Sequence, residues 1–225
     1  MCGRFSLYSD FRVIVDRFHV DEVTFDETEY EASYNIAPSQ QVVAVISDGT
    51  GNRLGFLRWG LIPPWAKDAK IGYKMINARA ETAADKPSYR NAFKKKRCLV
   101  VADSFYEWRR TEDGKQPMLI RMKNGEPFAF AGLWEAWKSP EGETVYSCSI
   151  LTTEPNELME TIHDRMPVVL AKEDEQRWID PSIQDEEILT DMLKPYDGNE
   201  MEAYPVSPDV NSPKNNSPEL IERVS

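Results

Sequence analysis

Cys98-Leu99-Val100-Val101-Ala102 is the stretch that most limits how this chain can fold. Five apolar residues in succession are too few for an ordinary helix, and they do not alternate with polar ones. With Arg97 they predict a strand buried on both faces, which must lie inside a sheet with packing above and below. Neighbours for such a strand are plentiful. Residues 42–46 and 54–59 flank the turn cluster Ser47-Asp48-Gly49-Thr50-Gly51-Asn52, a hairpin signal. Further strands are predicted at 117–122, 128–133, 144–152, 166–170 and 201–206. Helical patterns are few. Ser9 is placed to cap a helix whose apolar residues Phe11, Ile14, Val15 and Phe18 fall at i, i+3, i+4 and i+7. Residues 87–96, 154–161, 173–178 and 183–193 are the other helical candidates, and residues 75–82, MINARAET, have no clean period and form a loop or short helix. The tail at 207–225, rich in Ser, Pro and Asn, reads as disordered. The expectation is one α+β domain over residues 2–206, mainly antiparallel, with peripheral helices.

Composition narrows the function classes. Three cysteines with no CxxC spacing argue against a disulfide framework or a zinc site and suggest a reducing compartment. No signal peptide and no apolar run of membrane-spanning length is visible, so a soluble, cytoplasmic protein is expected. Net charge is −11, but it is divided. Residues 53–110 hold 14 Lys and Arg against 5 Asp and Glu, whereas residues 172–225 hold 5 against 14. The middle of the chain can therefore present a basic face in an acidic molecule, and charge alone does not choose between nucleic acid and two solvated faces. No P-loop, dinucleotide turn, HExxH or GxSxG sequence occurs, and no cofactor is expected.

The residues that could carry chemistry are polar groups stranded in apolar or turn-marked segments. Cys2 follows the initiator methionine, and removal of Met1 would give one residue both a thiol and a free α-amine, the two being nucleophilic near neutral pH after modest tuning. An aldehyde meeting that pair can form an imine and close onto sulfur as a thiazolidine. Asn77 and Arg79, if extended, point the same way and could hold a phosphate or orient a reacting group. Glu107 sits among three aromatics, Phe105, Tyr106 and Trp108, where desolvation would raise its pKa toward acid–base use; pairing with Arg109 or Arg110 is equally consistent with its neighbours. Of two histidines, His19 ends the first helix, whereas His163 lies in the loop Ile162-His163-Asp164-Arg165-Met166-Pro167, where functional residues concentrate. Cys98 and Cys148 read as inert core thiols. Trp59, Trp65 and Trp108 interleave with Arg58, Arg79, Arg90 and the Lys94–Arg97 run, a composition suited to single-stranded nucleic acid, although each tryptophan taken singly suits the core as well.

Seven short stretches in order carry a resemblance. They are Cys2-Gly3-Arg4-Phe5, Tyr34-Asn35-Ile36-Ala37-Pro38, Arg58-Trp59-Gly60-Leu61-Ile62-Pro63-Pro64-Trp65, Asn77-Ala78-Arg79-Ala80-Glu81-Thr82, the segment from Arg97 to Trp108, Leu151-Thr152-Thr153-Glu154-Pro155-Asn156, and Ile162 to Pro167. Over residues 2–206 the chain resembles the SOS response-associated peptidase (SRAP) family of abasic-site processing proteins. The resemblance implies a β-barrel-like core with flanking helices and a positively charged groove. It implies binding to single-stranded DNA, or to a single-strand/duplex junction, carrying an abasic site, with association with the nucleoid when so engaged; nothing in the sequence suggests more than a monomer. Cys2, as the processed N-terminus, would crosslink to the ring-opened sugar, with autopeptidase and lyase side activities. Asn77, Glu107 and His163 would surround the sugar and handle protons; Arg4, Arg79 and Arg165 would hold phosphates, and Trp108 would pack beside the DNA. No metal is implied. Two other classes fit the residues: a cysteine peptidase acting on proteins through Cys2, His163 and Glu107 or Asn77, and a non-covalent single-strand-binding module in which Cys2 is incidental.

Overall fold

The computed structural model describes residues 2–224. Its strands in chain order are β1 (Phe5–Leu7), β2 (Glu22–Val23), β3 (Ser33–Ile36), β4 (Gln41–Ser47), β5 (Asn52–Trp59), β6 (Asn77–Arg79), β7 (Arg97–Ala102), β8 (Ser104–Thr111), β9 (Gly114–Met122), β10 (Phe128–Lys138), β11 (Thr144–Thr153), β12 (Met166–Pro167) and β13 (Met201–Pro205). The helices are α1 (Phe11–Arg17), α2 (Ala80–Ala83), α3 (Arg90–Lys95), α4 (Glu157–Glu160), α5 (Lys172–Ile179) and α6 (Glu186–Asp191). One sheet runs β13-β9-β8-β1-β3. The other runs β12-β11-β10-β7-β4-β5-β2, and because β5 also pairs with β11, strands β11, β10, β7, β4 and β5 close into a five-stranded barrel. Pairing is antiparallel except where β2 meets β5 and where β11 meets β5 and β6. The fold is α+β, mainly antiparallel and barrel-centred.

The apolar run occupies the place its composition demands. β7 lies between β10 and β4, and all six of its residues are buried. Its outer side is covered by α3 and α5: Trp178 donates its indole N–H to the Cys98 carbonyl at 3.2 Å, and Phe93 meets the Trp178 ring edge-on at 5.9 Å. Arg97 is buried with it, its guanidinium spent on the carbonyls of Phe93, Lys94, Asp180 and Ile183. It is therefore withdrawn from the basic surface that the Lys94–Arg97 run suggested. On the inner side Phe5 reaches across from the first sheet, 5.1 Å from the Trp59 ring and 5.6 Å from Phe130, both edge-on. Each such fully buried large side chain contributes about 2 kcal/mol of transfer free energy. Trp59 is a core residue, with its indole N–H on the Ile76 carbonyl at 2.9 Å, whereas Trp65 is 60% exposed.

Three expectations change. Ser9 does not cap α1, whose N-cap is Asp10; instead the Ser9 amide and hydroxyl both donate to the buried carboxylate of Asp103. A long polar loop partner thus outcompetes the local cap. Residues 75–82 are strand β6 followed by one helical turn, because β6 gains a parallel partner in β11, with Ile150 opposite Asn77 and Thr152 opposite Arg79. Residues 207–224 are not a disordered tail. They fold into two 3-10 turns, Pro208–Asn211 and Pro218–Ile221, with Val210 and Leu220 buried beside Tyr106, Leu119 and Tyr204. Two well-placed apolar residues and side chains that take up backbone carbonyls suffice to order a segment of polar composition. Among the described residues no helix is long and apolar enough to cross a membrane.

Candidate functional site

The N-terminal segment reaches the site through β1. Its antiparallel register on β8 pairs Phe5 with Phe105, and the Tyr106 amide donates to the Arg4 carbonyl at 3.0 Å. Continuing that register brings Gly3 level with Glu107, so Cys2 arrives beside the second half of β8. Cys2 is fully buried, with its Sγ 3.9 Å from the Arg4 carbonyl. Burial raises the thiol pKa first, and the negative charge of Glu107 raises it further. The thiol is held protonated at neutral pH.

Glu107 lies within β8 rather than at a strand end and is 2% exposed. Burial pushes its carboxyl pKa above the ordinary range, while His163 opposes the rise by favouring the ionised form. His163 sits in the loop between α4 and β12, with Nε2 3.9 Å from Glu107 Oε2. Its Nδ1 faces the Asp164 carboxylate at 2.9 Å and the Arg165 backbone N–H at 3.1 Å. When that nitrogen accepts from the amide, the neutral ring carries its proton on Nε2, toward Glu107. Cys2, Glu107 and His163 are thus adjacent, and local chemistry runs thiol, carboxylate, imidazole. Along β8 exposure rises from buried Glu107 through half-buried Arg109 to exposed Arg110.

Asn77 and Arg79 are set in the extended conformation of β6, with Ala78 buried between them and Arg79 exposed. The Asn77 Nδ2 reaches the Ile150 carbonyl at 3.4 Å and its backbone carbonyl accepts from the Tyr89 hydroxyl at 3.3 Å, while its buried Oδ1 has no partner among the described residues. An oxygen so placed is ready to accept from a bound hydroxyl or amine. β12 pairs with β11 at Thr152 and Thr153, so Thr152 has Arg79 of β6 on one side and Pro167 of β12 on the other, and Arg165 enters just ahead of β12. There Arg165 donates to the Thr152 carbonyl at 2.7 Å and forks onto the carboxylate of Glu81. That contact holds the Glu81 pKa below the usual carboxylate range. Neither Glu81 nor Asn35 stood out in the sequence as a partner; only the pairing of β6, β11 and β12 reveals the first, and only the folded C-terminal segment reveals the second.

Arg4 and Trp108 stand on the other flank and are engaged within the protein. Arg4 Nη1 donates to Asn35 Oδ1 at 2.9 Å and to the Val210 carbonyl at 2.7 Å, and burial lowers its pKa. The half-buried Trp108 gives its indole N–H to Asn211 at 2.7 Å. Cys98 and Cys148 are buried, unbridged thiols in β7 and β11. Among the described residues no three His, Cys, Asp or Glu side chains gather as a metal-holding group.

Comparison with known proteins adds to this geometry. Residues 1–213 match the family described as SOS response associated peptidase (SRAP). The chain is 59% identical to the abasic site processing protein YoqW of Bacillus subtilis, over 99% of both chains, and 33% identical to the abasic site processing protein HMCES of Xenopus tropicalis, over 87% of this chain and 67% of the relative. A crystal structure of a Bacteroides thetaiotaomicron protein superimposes over all of both chains with a TM-score of 0.89 at 29% identity.

Proposed function

The chain belongs to the SRAP family, and on that premise we propose that it processes abasic sites in single-stranded DNA by linking Cys2 covalently to the lesion. The observation that carries this is the full burial of the Cys2 thiol within the electrostatic reach of the buried Glu107 carboxylate, which His163 faces at 3.9 Å. Relatives named abasic site processing proteins at 55–59% identity support the substrate class. Removal of Met1, which lies outside the described residues, would free the Cys2 amine. The amine adds to C1′ of the ring-opened deoxyribose aldehyde, and loss of one water leaves an imine. The thiol then adds to the imine carbon, forming the C–S bond; its proton passes to Glu107 and the imine nitrogen takes one in return. The product is a thiazolidine, which diverts the imine from β-elimination and strand cleavage. Asn77 Oδ1 accepts from the sugar hydroxyl or the amine, His163 relays the proton of Glu107, and Arg79 and Arg165 meet the flanking phosphates, for which Arg165 exchanges Glu81.

A thiol kept protonated suits this order, in which the amine attacks first and sulfur closes the ring. It does not suit a peptidase acting on other proteins, which needs a thiolate at the outset. Intact mass before and after incubation with a single-stranded oligonucleotide bearing one abasic site tests the proposal. Loss of Met1 followed by a gain of the oligonucleotide less one water is expected. Loss of Met1 with no adduct would return the site to peptidase or simple binding chemistry, and retention of Met1 would leave Cys2 without its amine.

A further inference from the structure

Residues 207–216 belong to neither sheet, yet their backbone carbonyls converge on two side chains beside the site. Asn35, 2% exposed on β3, donates its amide to the carbonyls of Val210, Ser212 and Asn215 at 3.3, 3.0 and 2.8 Å. Its Oδ1 accepts from Arg4, which also donates to the Val210 carbonyl. Asn211 takes the Trp108 indole N–H, and Asn216 takes the Tyr34 amide at 2.7 Å. Val210, wholly buried with Tyr106, Leu119 and Tyr204, pins the segment to the outer face of β8 and β9. The gripped residues flank the reacting pair. Arg4 is two residues from Cys2, and its carbonyl is the contact of both the Cys2 thiol and the Tyr106 amide. Trp108 directly follows Glu107.

We propose that residues 207–216 are a positioning strap, with Asn35 as its positioning residue, that holds the Cys2 thiol against Glu107 through Arg4. The proposal deepens the covalent chemistry above and, for its effect on DNA, rests on it. Its physical basis is connectivity. Among the described residues Asn35 is the one side chain bonded both to the strap and to Arg4, its amide N–H groups shared among three strap carbonyls and its Oδ1 taken by Arg4, and a buried amide that loses its partners cannot be satisfied by water without opening the segment. Nothing in the strap carries a net positive charge toward the site beyond Lys214, so it is a clamp rather than a phosphate contact.

The test is the reactivity of Cys2 toward iodoacetamide in the folded, full-length protein, followed by mass spectrometry of the N-terminal peptide. Here sulfur displaces iodide and the thiol proton passes to solvent. In Asn35→Ala alkylation of Cys2 should be at least tenfold faster than in wild type, while Cys98 and Cys148, buried in β7 and β11, remain as slow as before. Should Asn35→Ala fail to fold, Asn35→Asp keeps the Arg4 contact and the side-chain shape while removing the donors to the strap, and the same acceleration is expected. An unchanged Cys2 rate, or a rise shared equally by all three thiols, would overturn the proposal. In the same variants, adduct formation at saturating abasic oligonucleotide should slow about tenfold with half-saturation within twofold of wild type. A wild-type protein that forms no adduct refutes the covalent chemistry, not the strap, because the alkylation result stands without DNA.

Discussion

Replacing Glu107 by glutamine should make the protein more stable at neutral pH and slower in its proposed reaction. Glu107 is 2% exposed, and burial raises its folded pKa above the ordinary 4.5. A carboxyl with a raised folded pKa is neutral in both folded and unfolded states at low pH. As pH climbs from 4.5 through the folded value, the unfolded chain releases the proton more readily, and the wild-type fold loses stability. Glutamine has no proton to release, so the advantage of the variant grows across that window. Ionising a carboxyl at such a buried position costs on the order of 1–3 kcal/mol. His163, with Nε2 3.9 Å from the carboxylate, offsets part of this. A net gain of about 1 kcal/mol is expected, or about 2–4 °C in Tm for a chain of this length. The assay is a pair of thermal melts, wild type and Glu107→Gln, at pH 4.5 and pH 8, with adduct formation on an abasic oligonucleotide followed at pH 7.5. A Tm difference that is the same at both pH values, or one that favours wild type at pH 8, would refute the desolvation argument. Unchanged adduct kinetics would remove Glu107 from proton transfer.

Other perturbations separate the parts. Cys2→Ala should abolish the denaturant-resistant adduct while leaving amine-driven strand cleavage detectable on a gel; a variant that crosslinks as wild type does would remove the central claim. Arg79→Ala should weaken DNA binding and lower the slope of log K against log salt by about 1, read in a fluorescence titration, because Arg79 is exposed at the end of β6. Gly60→Ala should destabilise by roughly 2–5 kcal/mol in urea unfolding. The residue has φ +129, and an added Cβ would stand 2.6 Å from the Gly72 carbonyl oxygen, a backbone atom with little room to yield.

How far the sequence reaches depends on the range of the interaction. β7 was legible because an unbroken apolar run has one physical solution, and β4 with β5 because a Gly-rich turn sits between them. Closure of the barrel was expected only through the family resemblance, since the parallel pairing of Arg58 with Ser147 leaves no local trace. Ser9 carried a correct helix-capping composition and lost to Asp103, a partner 94 residues away. Composition condemned residues 207–225 to disorder because it averages over Ser, Pro and Asn, whereas order there hangs on Val210, Leu220 and the single amide of Asn35. For the site, residue chemistry selected Cys2, Glu107 and His163; the structure buries the first two and sets His163 Nε2 3.9 Å from Glu107. It could not reveal that Arg165 is paired with Glu81, or that Arg4 and Trp108 are bonded within the protein.

The location of the site follows from how the two sheets are joined. Glu107 belongs to the first sheet through β8, and His163 to the loop that ends in β12 on the edge of the second. The Glu107–His163 contact therefore spans a seam between sheets, and its geometry is only as firm as their connection. Phe5 supplies that connection: it sits on β1, in the first sheet, while its ring is packed among Trp59 and Phe130 of the barrel. Cys2 lies three residues ahead of that same three-residue strand, so its position is registered to both sheets by one aromatic side chain on the core side and by Arg4 and Asn35 on the strap side. Burying a thiol and a carboxyl within electrostatic reach of each other opposes folding, and a chain can hold them there only where packing on both flanks leaves neither room to withdraw. The core beneath Phe5 and the clamp around Asn35 are those two flanks.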